Sequence, residues 1–317
     1  MKFFLLKILY ISIFFAAEYV VILFINVQIL PASLQKLHYA RFRGDHLYTK
    51  LSEADTAKKV DVLVLGASHA YRGFDPRIFK KNGINIFVLG SSSQTPIQTE
   101  YLVNKYIDKF KPKLVLYDVD YNNFETDGLE SAESLFSAAN PLDWQLLVMA
   151  IKLNSLDGYN TFTYSFLKAL ANRGAKEPRI FESDEYISNG FVQRRESKSK
   201  YIGRYFNRRD ININKTQFQT FISICQKLAR RGVKTLLIQS PTSPGYYRSL
   251  KNITTIDRMF SLVQTAKYYN FNDTTIFKNE LFYDQNHLNQ QGVELFDSIL
   301  IKQLKNDGEF DLLIPEN

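Results

Sequence analysis

Ser68 follows Gly66 and Ala67 at the end of an apolar run and precedes His69. Far along the chain, Asp284 and His287 stand three residues apart, with Asn289 and Gly292 behind them. These are the residue types of nucleophilic acyl chemistry. A serine hydroxyl is a poor nucleophile unless a base within hydrogen-bond reach takes its proton as it attacks a carbonyl. A carboxylate three residues before a histidine in a turn can hold one imidazole nitrogen and fix the tautomer, leaving the other nitrogen as that base. Ser68 by itself decides nothing, because a serine after a strand is also an ordinary helix N-cap. It acquires a chemical role only if the fold brings Asp284 and His287 to it.

The elements that would position these residues follow from the hydropathy pattern. Val62, Leu63, Val64 and Leu65 form a continuous apolar run rich in β-branched residues, the signature of a strand buried on both faces of a parallel sheet. Ser68 then lies at the carboxyl end of that strand, the edge where open α/β sheets leave a ligand crevice. A short helix at 76–81 and a second strand at 84–89 follow, entering the small, polar turn of Gly90 to Thr95. Pro96, with Ile97, Tyr101, Leu102, Tyr106 and Phe110 at helical spacing, predicts an amphipathic helix to about residue 111. A third strand at 114–119 leads into Asp120, Tyr121, Asn122 and Asn123.

Over 124–213 the rhythm breaks, which marks an insertion of the kind that forms lids or binding loops. Within it, residues 140–144 open a helix. Arg194, Arg195, Lys198, Lys200, Arg204, Arg208 and Arg209 crowd later, either as a solvated surface or as a contact for anionic headgroups or an acidic polymer. The alternation returns with a helix at 214–231 and a fourth strand at 233–238, which opens into a turn holding Ser240, Pro241, Tyr246 and Tyr247. A helix over 253–269, a short strand at 270–274 and a helix at 289–304 complete the chain. Repeated strand-turn-helix units predict an α/β fold, a three-layer α/β/α sandwich around a parallel, doubly wound, flavodoxin-like sheet.

The 317 residues suffice for one sizeable domain with an insertion. The net charge is +8, but Lys and Arg are spread along the chain without a recognition motif, so no nucleic-acid partner is expected. Cys225 sits among Phe218, Phe221, Ile222 and Leu228 as a buried helix residue, and a lone cysteine excludes a disulfide framework or a cysteine zinc site. No metal-ligand spacing occurs, and Gly66, Gly90 and Gly292 make no dinucleotide fingerprint, so neither metal nor cofactor is expected.

Residues 8–30 are nearly all apolar and end at Pro31, a length that spans a bilayer as a helix. A cleaved signal peptide would be shorter with small residues at its exit, so the segment reads as an uncleaved anchor. Glu18 within it is costly unless it meets a partner, which points to a second membrane protein, or unless tilt carries it to the interface. Lys2 and Lys7 precede the span while Lys36, Arg41 and Arg43 follow it, so charge does not fix the orientation. The polar and aromatic stretch at 32–59, with Tyr39, Phe42 and Tyr48, reads as a juxtamembrane helix and connector on the bilayer; its His38 and His46 carry no chemical signal.

Four of these blocks resemble those of the SGNH (GDSL-like) hydrolases and acyltransferases, in the same order and at the same sheet edge. Gly66, Ala67, Ser68 and His69 resemble the nucleophile block, with Ala67 in place of its usual aspartate. Gly90 resembles the oxyanion-hole glycine. In the third block Asn122 falls on the oxyanion asparagine, Asp120 replaces a glycine and Asn123 an aspartate, and Asn123 offers a competing register. Asp284, His287, Asn289 and Gly292 match the last block at its full spacing. The resemblance covers 61–123 and 233–304. It divides the chain into an anchor at 1–31, a connector at 32–59, an SGNH-like domain at 60–306 with its insertion at 124–213, and a tail at 307–317.

The resemblance implies Ser68 as nucleophile, His287 as base and Asp284 as its orienter. The backbone N–H groups of Ser68 and Gly90 and the amide of Asn122 would hold the oxyanion. His69, Ser240, Tyr246 and Tyr247 are the further candidates for substrate contact. The anchored form resembles the SGNH proteins of alginate O-acetylation and of teichoic acid D-alanylation. That implies transfer of an acyl group, O-acetyl first, to a cell-surface glycan or polymer. The site would lie on the periplasmic or extracellular face of a bacterial cytoplasmic membrane, beside a multi-span MBOAT-type acyltransferase. Two other readings stay open: an acetyl esterase for glycans or lipids, and an inactive scaffold that binds a polymer or partner enzyme. Ala67 and Asp120 favour the scaffold, whereas the intact Ser68, Asp284 and His287 oppose it.

Overall fold

The computed structural model of the chain describes residues 1–29, 44–171, 177–195 and 206–313. Lys36, His38, Tyr39, Arg41, Phe42, Arg43, Lys198, Lys200 and Arg204 lie outside them. Helix α1 (Lys2–Ile29) is long and apolar enough to cross a membrane. Helix α2 (Leu47–Thr56) falls in the stretch expected to lie on a bilayer, but it packs into the domain instead. Its Leu47, Lys50, Leu51 and Ala54 are buried, and the three apolar ones join the core shared with the sheet. Their spacing is that of one helix face, and a lysine in the stripe disguises it.

Strand β1 (Val62–Gly66) is buried throughout and runs into α3 (Ser68–Gly73) and α4 (Pro76–Lys81). Strand β2 (Ile86–Gly90) is followed by α5 (Pro96–Phe110), which opens with a capping box between Thr95 and Gln98. After β3 (Leu114–Asp118) come α6 (Leu129–Ala138), α7 (Trp144–Leu153) and α8 (Leu156–Ala171). Strands β4 (Ile180–Phe181), β5 (Asp184–Ser188) and β6 (Phe191–Arg194) form a small antiparallel sheet. The region that looked irregular is therefore largely built of regular elements. The chain returns through α9 (Lys215–Arg230), β7 (Lys234–Gln239), α10 (Pro244–Ser249), α11 (Ile253–Ser261), β8 (Lys267–Asn270) and α12 (Gln290–Asn306). Cys225 is buried on α9, as expected.

The main sheet has the order β2-β1-β3-β7-β8 with every pair parallel, the doubly wound, flavodoxin-like arrangement expected from the strand-turn-helix rhythm. Alternate side chains enter the two cores. Leu63, Leu65, Phe87, Val115 and Tyr117 meet residues of α5 and α9 on one face. Val62, Val64, Val88, Leu116 and Leu236 meet residues of α12 on the other. In-register pairing of Gly66 with Gly90 and of Asp118 with Ile238 brings the strand ends to one edge.

The end of the sheet differs from expectation. Helix α11 stops at Ser261 instead of reaching 269, and the last strand begins at Lys267 instead of Asn270. Tyr268 and Tyr269 look like part of a helical face, yet they point to opposite sides of an edge strand. The Tyr268 hydroxyl donates to Asp257 Oδ1 at 2.6 Å and that of Tyr269 to Asp307 Oδ2 at 2.7 Å. Partners so far apart in the chain leave no periodic mark around the tyrosines.

Candidate active site

The loops after β1 and β2 touch backbone to backbone: a β-carbon on Gly90 would lie 2.9 Å from the carbonyl oxygens of both Gly66 and Ala67. Ala67 occupies the N-cap position of α3 and offers no capping side chain, so Ser68 is the first helical residue and its hydroxyl is not a cap. Ser68 Oγ lies 2.7 Å from His287 Nε2. On the other side of the ring, His287 Nδ1 lies 2.8 Å from Asp284 Oδ2.

The turn that carries these two residues is held from several sides. Asp284 Oδ1 accepts the N–H groups of Asn286 at 2.9 Å and His287 at 2.8 Å. Asn289 caps α12 by accepting the Gly292 N–H at 3.0 Å, and its amide donates to the Glu280 carbonyl at 2.7 Å. Any side chain at Gly292 would collide with the Leu281 carbonyl. The four-residue spacing pattern thus has a mechanical reason: its first half presents the imidazole and its second half closes the turn behind it. Burial alone would raise the Asp284 carboxyl. The bond from His287, its charge and the two backbone N–H groups instead hold it well below the usual carboxylate range. A hydroxyl beside an imidazole whose far nitrogen is held by an ionised carboxylate can pass its proton to that ring while attacking.

The opposite wall is reinforced by residues outside the sequence reading. The Gly90 carbonyl accepts a hydrogen bond from Lys50 Nζ, and Lys50 lies 4.4 Å from the centre of the Tyr71 ring. Burial pushes the Lys50 ammonium down to about 7, against the pull of Asp45 and Glu177. Asp45 Oδ2 accepts the Ser92 N–H at 3.0 Å. Residues just after the undescribed stretch thus brace the β2 loop from behind.

Asn122 lies in the short turn after β3. Its amide nitrogen donates to Asp120 Oδ1 at 2.7 Å, and its oxygen accepts from the Tyr246 hydroxyl at 2.8 Å and Arg209 Nη2 at 2.6 Å. An amide nitrogen has a second N–H to offer an oxyanion. Asn123 turns to Asp120 Oδ2 at 3.1 Å. Arg209 also pairs with Glu125 at 2.7 Å. Part of the basic cluster is thus neither bare surface nor an open anion site, since Arg194 is likewise tied to Asp184 at 3.2 Å. The only sequence signal for Arg209 was its place in that cluster.

His69 is buried, its ring edge-on to His287 at 5.2 Å and its Nδ1 3.7 Å from Asp120 Oδ2. Ser240 donates to Asp118 Oδ1 at 2.5 Å. Burial pushes the Asp118 carboxyl up to about 6, with His69 and the Ser240 bond pulling the other way. His69, Arg72, Ser240, Pro241, Asn286 and His287 are among the residues lining a small cleft beside the site. Tyr246 reaches the site through Asn122, but Tyr247 does not join it. Its hydroxyl accepts from Asn270 at 3.3 Å and faces Asp257 at 3.5 Å. Neighbouring helix positions point about 100° apart, so the two tyrosines cannot both face the edge.

No family model and no curated protein matches the chain. In structure it is similar to GDSL-like hydrolases. A GDSL-like lipase from Bacteroides thetaiotaomicron aligns with a TM-score of 0.43 and 12% identity, over 84% of this chain and 100% of that one. A Bacteroides fragilis protein assigned as an acylhydrolase aligns at 0.42 and 12%, over 84% and 98%. A Desulfitobacterium hafniense protein assigned to the G-D-S-L lipolytic family aligns at 0.40 and 11%, over 76% and 98%. Likeness this distant says nothing of what the present chain turns over, and the chemistry rests on its own side chains.

Proposed function

We propose that this chain is a membrane-anchored, SGNH-type serine enzyme that moves acyl groups, acetyl first, between ester oxygens of a cell-surface glycan or polymer. The observation that carries the reading is the unbroken chain from Ser68 Oγ through His287 to Asp284, with contacts of 2.7 and 2.8 Å. In the first step Ser68 Oγ bonds to the acyl carbon while its proton passes to His287 Nε2. Asp284 stabilises the imidazolium, and the N–H groups of Ser68, Gly90 and Asn122 receive the oxyanion. Collapse breaks the ester bond, and His287 returns the proton to the departing alcohol. In the second step a glycan hydroxyl, or water, gives its proton to His287 and attacks the acyl carbon; the bond to Ser68 Oγ then breaks as His287 returns the proton to it, which regenerates the serine. The cleft beside His287 is small, which favours a short acyl group over a long chain.

The apolar α1 supports the anchor, and an anchored domain facing the periplasm or the exterior suits a glycan acceptor and a multi-span MBOAT-type donor. The test is labelling of the full chain in detergent with a serine-directed fluorophosphonate. Wild type is expected to react and Ser68→Ala not to. Folded wild type that fails to label overturns the enzyme reading in favour of a binding scaffold.

A further inference from the structure

Helix α7 carries an apolar face that the described residues of the domain leave uncovered. Leu146, Met149 and Ala150 are buried. On the opposite side Trp144, Leu147, Val148 and Ile151 are between 46% and 71% exposed. Their spacing makes one continuous stripe along the helix. Leu142 and Leu156, at 63% and 69%, extend the patch past both ends. Contiguous large apolar side chains at this exposure mark a contact surface, because leaving them in water forfeits their burial.

What covers the stripe follows from its neighbours. Helix α7 packs on α8, and α8 packs on α1. At that second contact the Phe24 and Tyr164 rings lie 4.8 Å apart, Leu23 is buried against Tyr164, and the Tyr19 hydroxyl donates to Asn160. The apolar span of α1 runs over Lys2–Asn26 instead of 8–30, and Tyr19 stands about 26 Å along it from Lys2 at 1.5 Å per residue. A bilayer core is about 30 Å thick, so the contact falls where α1 would pass from hydrocarbon to headgroups. Helix α7, joined to that contact through α8 and with an exposed tryptophan in its first turn, presents an apolar face suited to the interface plane, while Lys152 in its last turn pairs with Glu100 at 2.7 Å.

We propose that the exposed face of α7 sits in the headgroup–acyl boundary of the bilayer that α1 crosses. The domain is then held at two places, which fixes how the Ser68 edge is turned relative to the membrane. This rests on the anchor reading above, and the experiment separates the two.

Trp144 is the sole tryptophan of the chain, so its fluorescence reports α7 alone. The full chain is reconstituted into phosphatidylcholine–phosphatidylglycerol vesicles, flotation is read in parallel, and lipids brominated near the headgroup end of their acyl chains serve as quencher. The expected result is blue-shifted emission, quenched by brominated lipid and shielded from aqueous iodide, in chain that floats. The double substitution Leu147→Asp with Ile151→Asp is expected to lose bromine quenching while flotation and Ser68 labelling persist. Floating chain whose Trp144 is open to iodide and untouched by bromine overturns the proposal and leaves the anchor standing. Shielding that appears only in native membranes, and not in pure lipid, assigns the face to a partner protein and overturns it too. Retained quenching in the double variant also overturns it. Chain that does not float removes the anchor and this inference together.

Discussion

Replacing Asp284 by asparagine perturbs the site at one atom. In Asp284→Asn the amide oxygen can take over from Oδ1, which accepts the N–H groups of Asn286 and His287 at 2.9 and 2.8 Å, so the turn survives. The amide nitrogen then replaces Oδ2, 2.8 Å from His287 Nδ1, and can only donate there. His287 must present an unprotonated Nδ1 and carry its proton on Nε2, the atom 2.7 Å from Ser68 Oγ. A protonated Nε2 cannot accept the serine proton. In Ser-His-Asp sites this wrong tautomer costs about 10⁴ in rate, or about 5 kcal/mol of transition-state stabilisation. The fold exchanges one charge-assisted hydrogen bond for a neutral one, about 1 kcal/mol.

The assay is the rate of fluorophosphonate labelling and of p-nitrophenyl acetate turnover by the full chain, with Ser68→Ala as the floor and thermal melting as the control for folding. A folded Asp284→Asn chain that keeps more than about a tenth of the wild-type rate refutes the tautomer argument. Stability offers an independent check. A carboxyl held below its ordinary value of 3.8 contributes stability that is present above that pH and is lost as pH falls through the lower folded value. Asp284→Asn should therefore flatten the acid limb of the stability profile.

Lys50→Met removes the donor on the Gly90 carbonyl, and Ser68 labelling is expected to slow about tenfold without a lower melting temperature at neutral pH. Because the folded pKa of Lys50 is depressed to about 7, its burial cost is full below that pH and is relieved toward its ordinary 10.5. Wild type should gain stability over that window and Lys50→Met should not, as read by urea unfolding. Asp118 behaves oppositely: its folded carboxyl is raised to about 6, so its contribution is full below 3.8 and is lost as pH rises through 6. Asp118→Asn should gain about 3 kcal/mol on wild type between those limits, and parallel unfolding profiles would dismiss this. Arg209→Ala leaves Asn122 and Glu125 without their shared partner, and kcat is expected to fall about tenfold with little change in KM. Arg209→Lys should restore only part, since an ammonium lacks the planar fork, whereas Arg208→Ala should be silent.

The strands were legible because a strand covered on both faces must be apolar at every position, and Val62 to Leu65 and Leu114 to Tyr117 are. Helix α2 was not, since a buried lysine interrupts its stripe and only the Gly90 carbonyl explains why it is there. Strand β8 was mistaken because its tyrosines are held by Asp257 and Asp307, acids from other elements. Tyr247 was placed at the site with Tyr246 because turn residues close in sequence look equivalent until the helix points them apart.

Sequence alone determined what short range can carry: the small turn that lifts Ser68 off a strand end, and the three-residue step by which Asp284 grips His287. Bond geometry within a turn allows few alternatives, so residue types at that spacing already prescribe the pair. Only the tertiary structure decided that the two turns meet, with Ser68 Oγ 2.7 Å from a ring 219 residues away. It also set Lys50 behind Gly90 and Arg209 over Asn122. Those contacts depend on how separate elements stack around the sheet, and packing between distant segments imposes no spacing on either one.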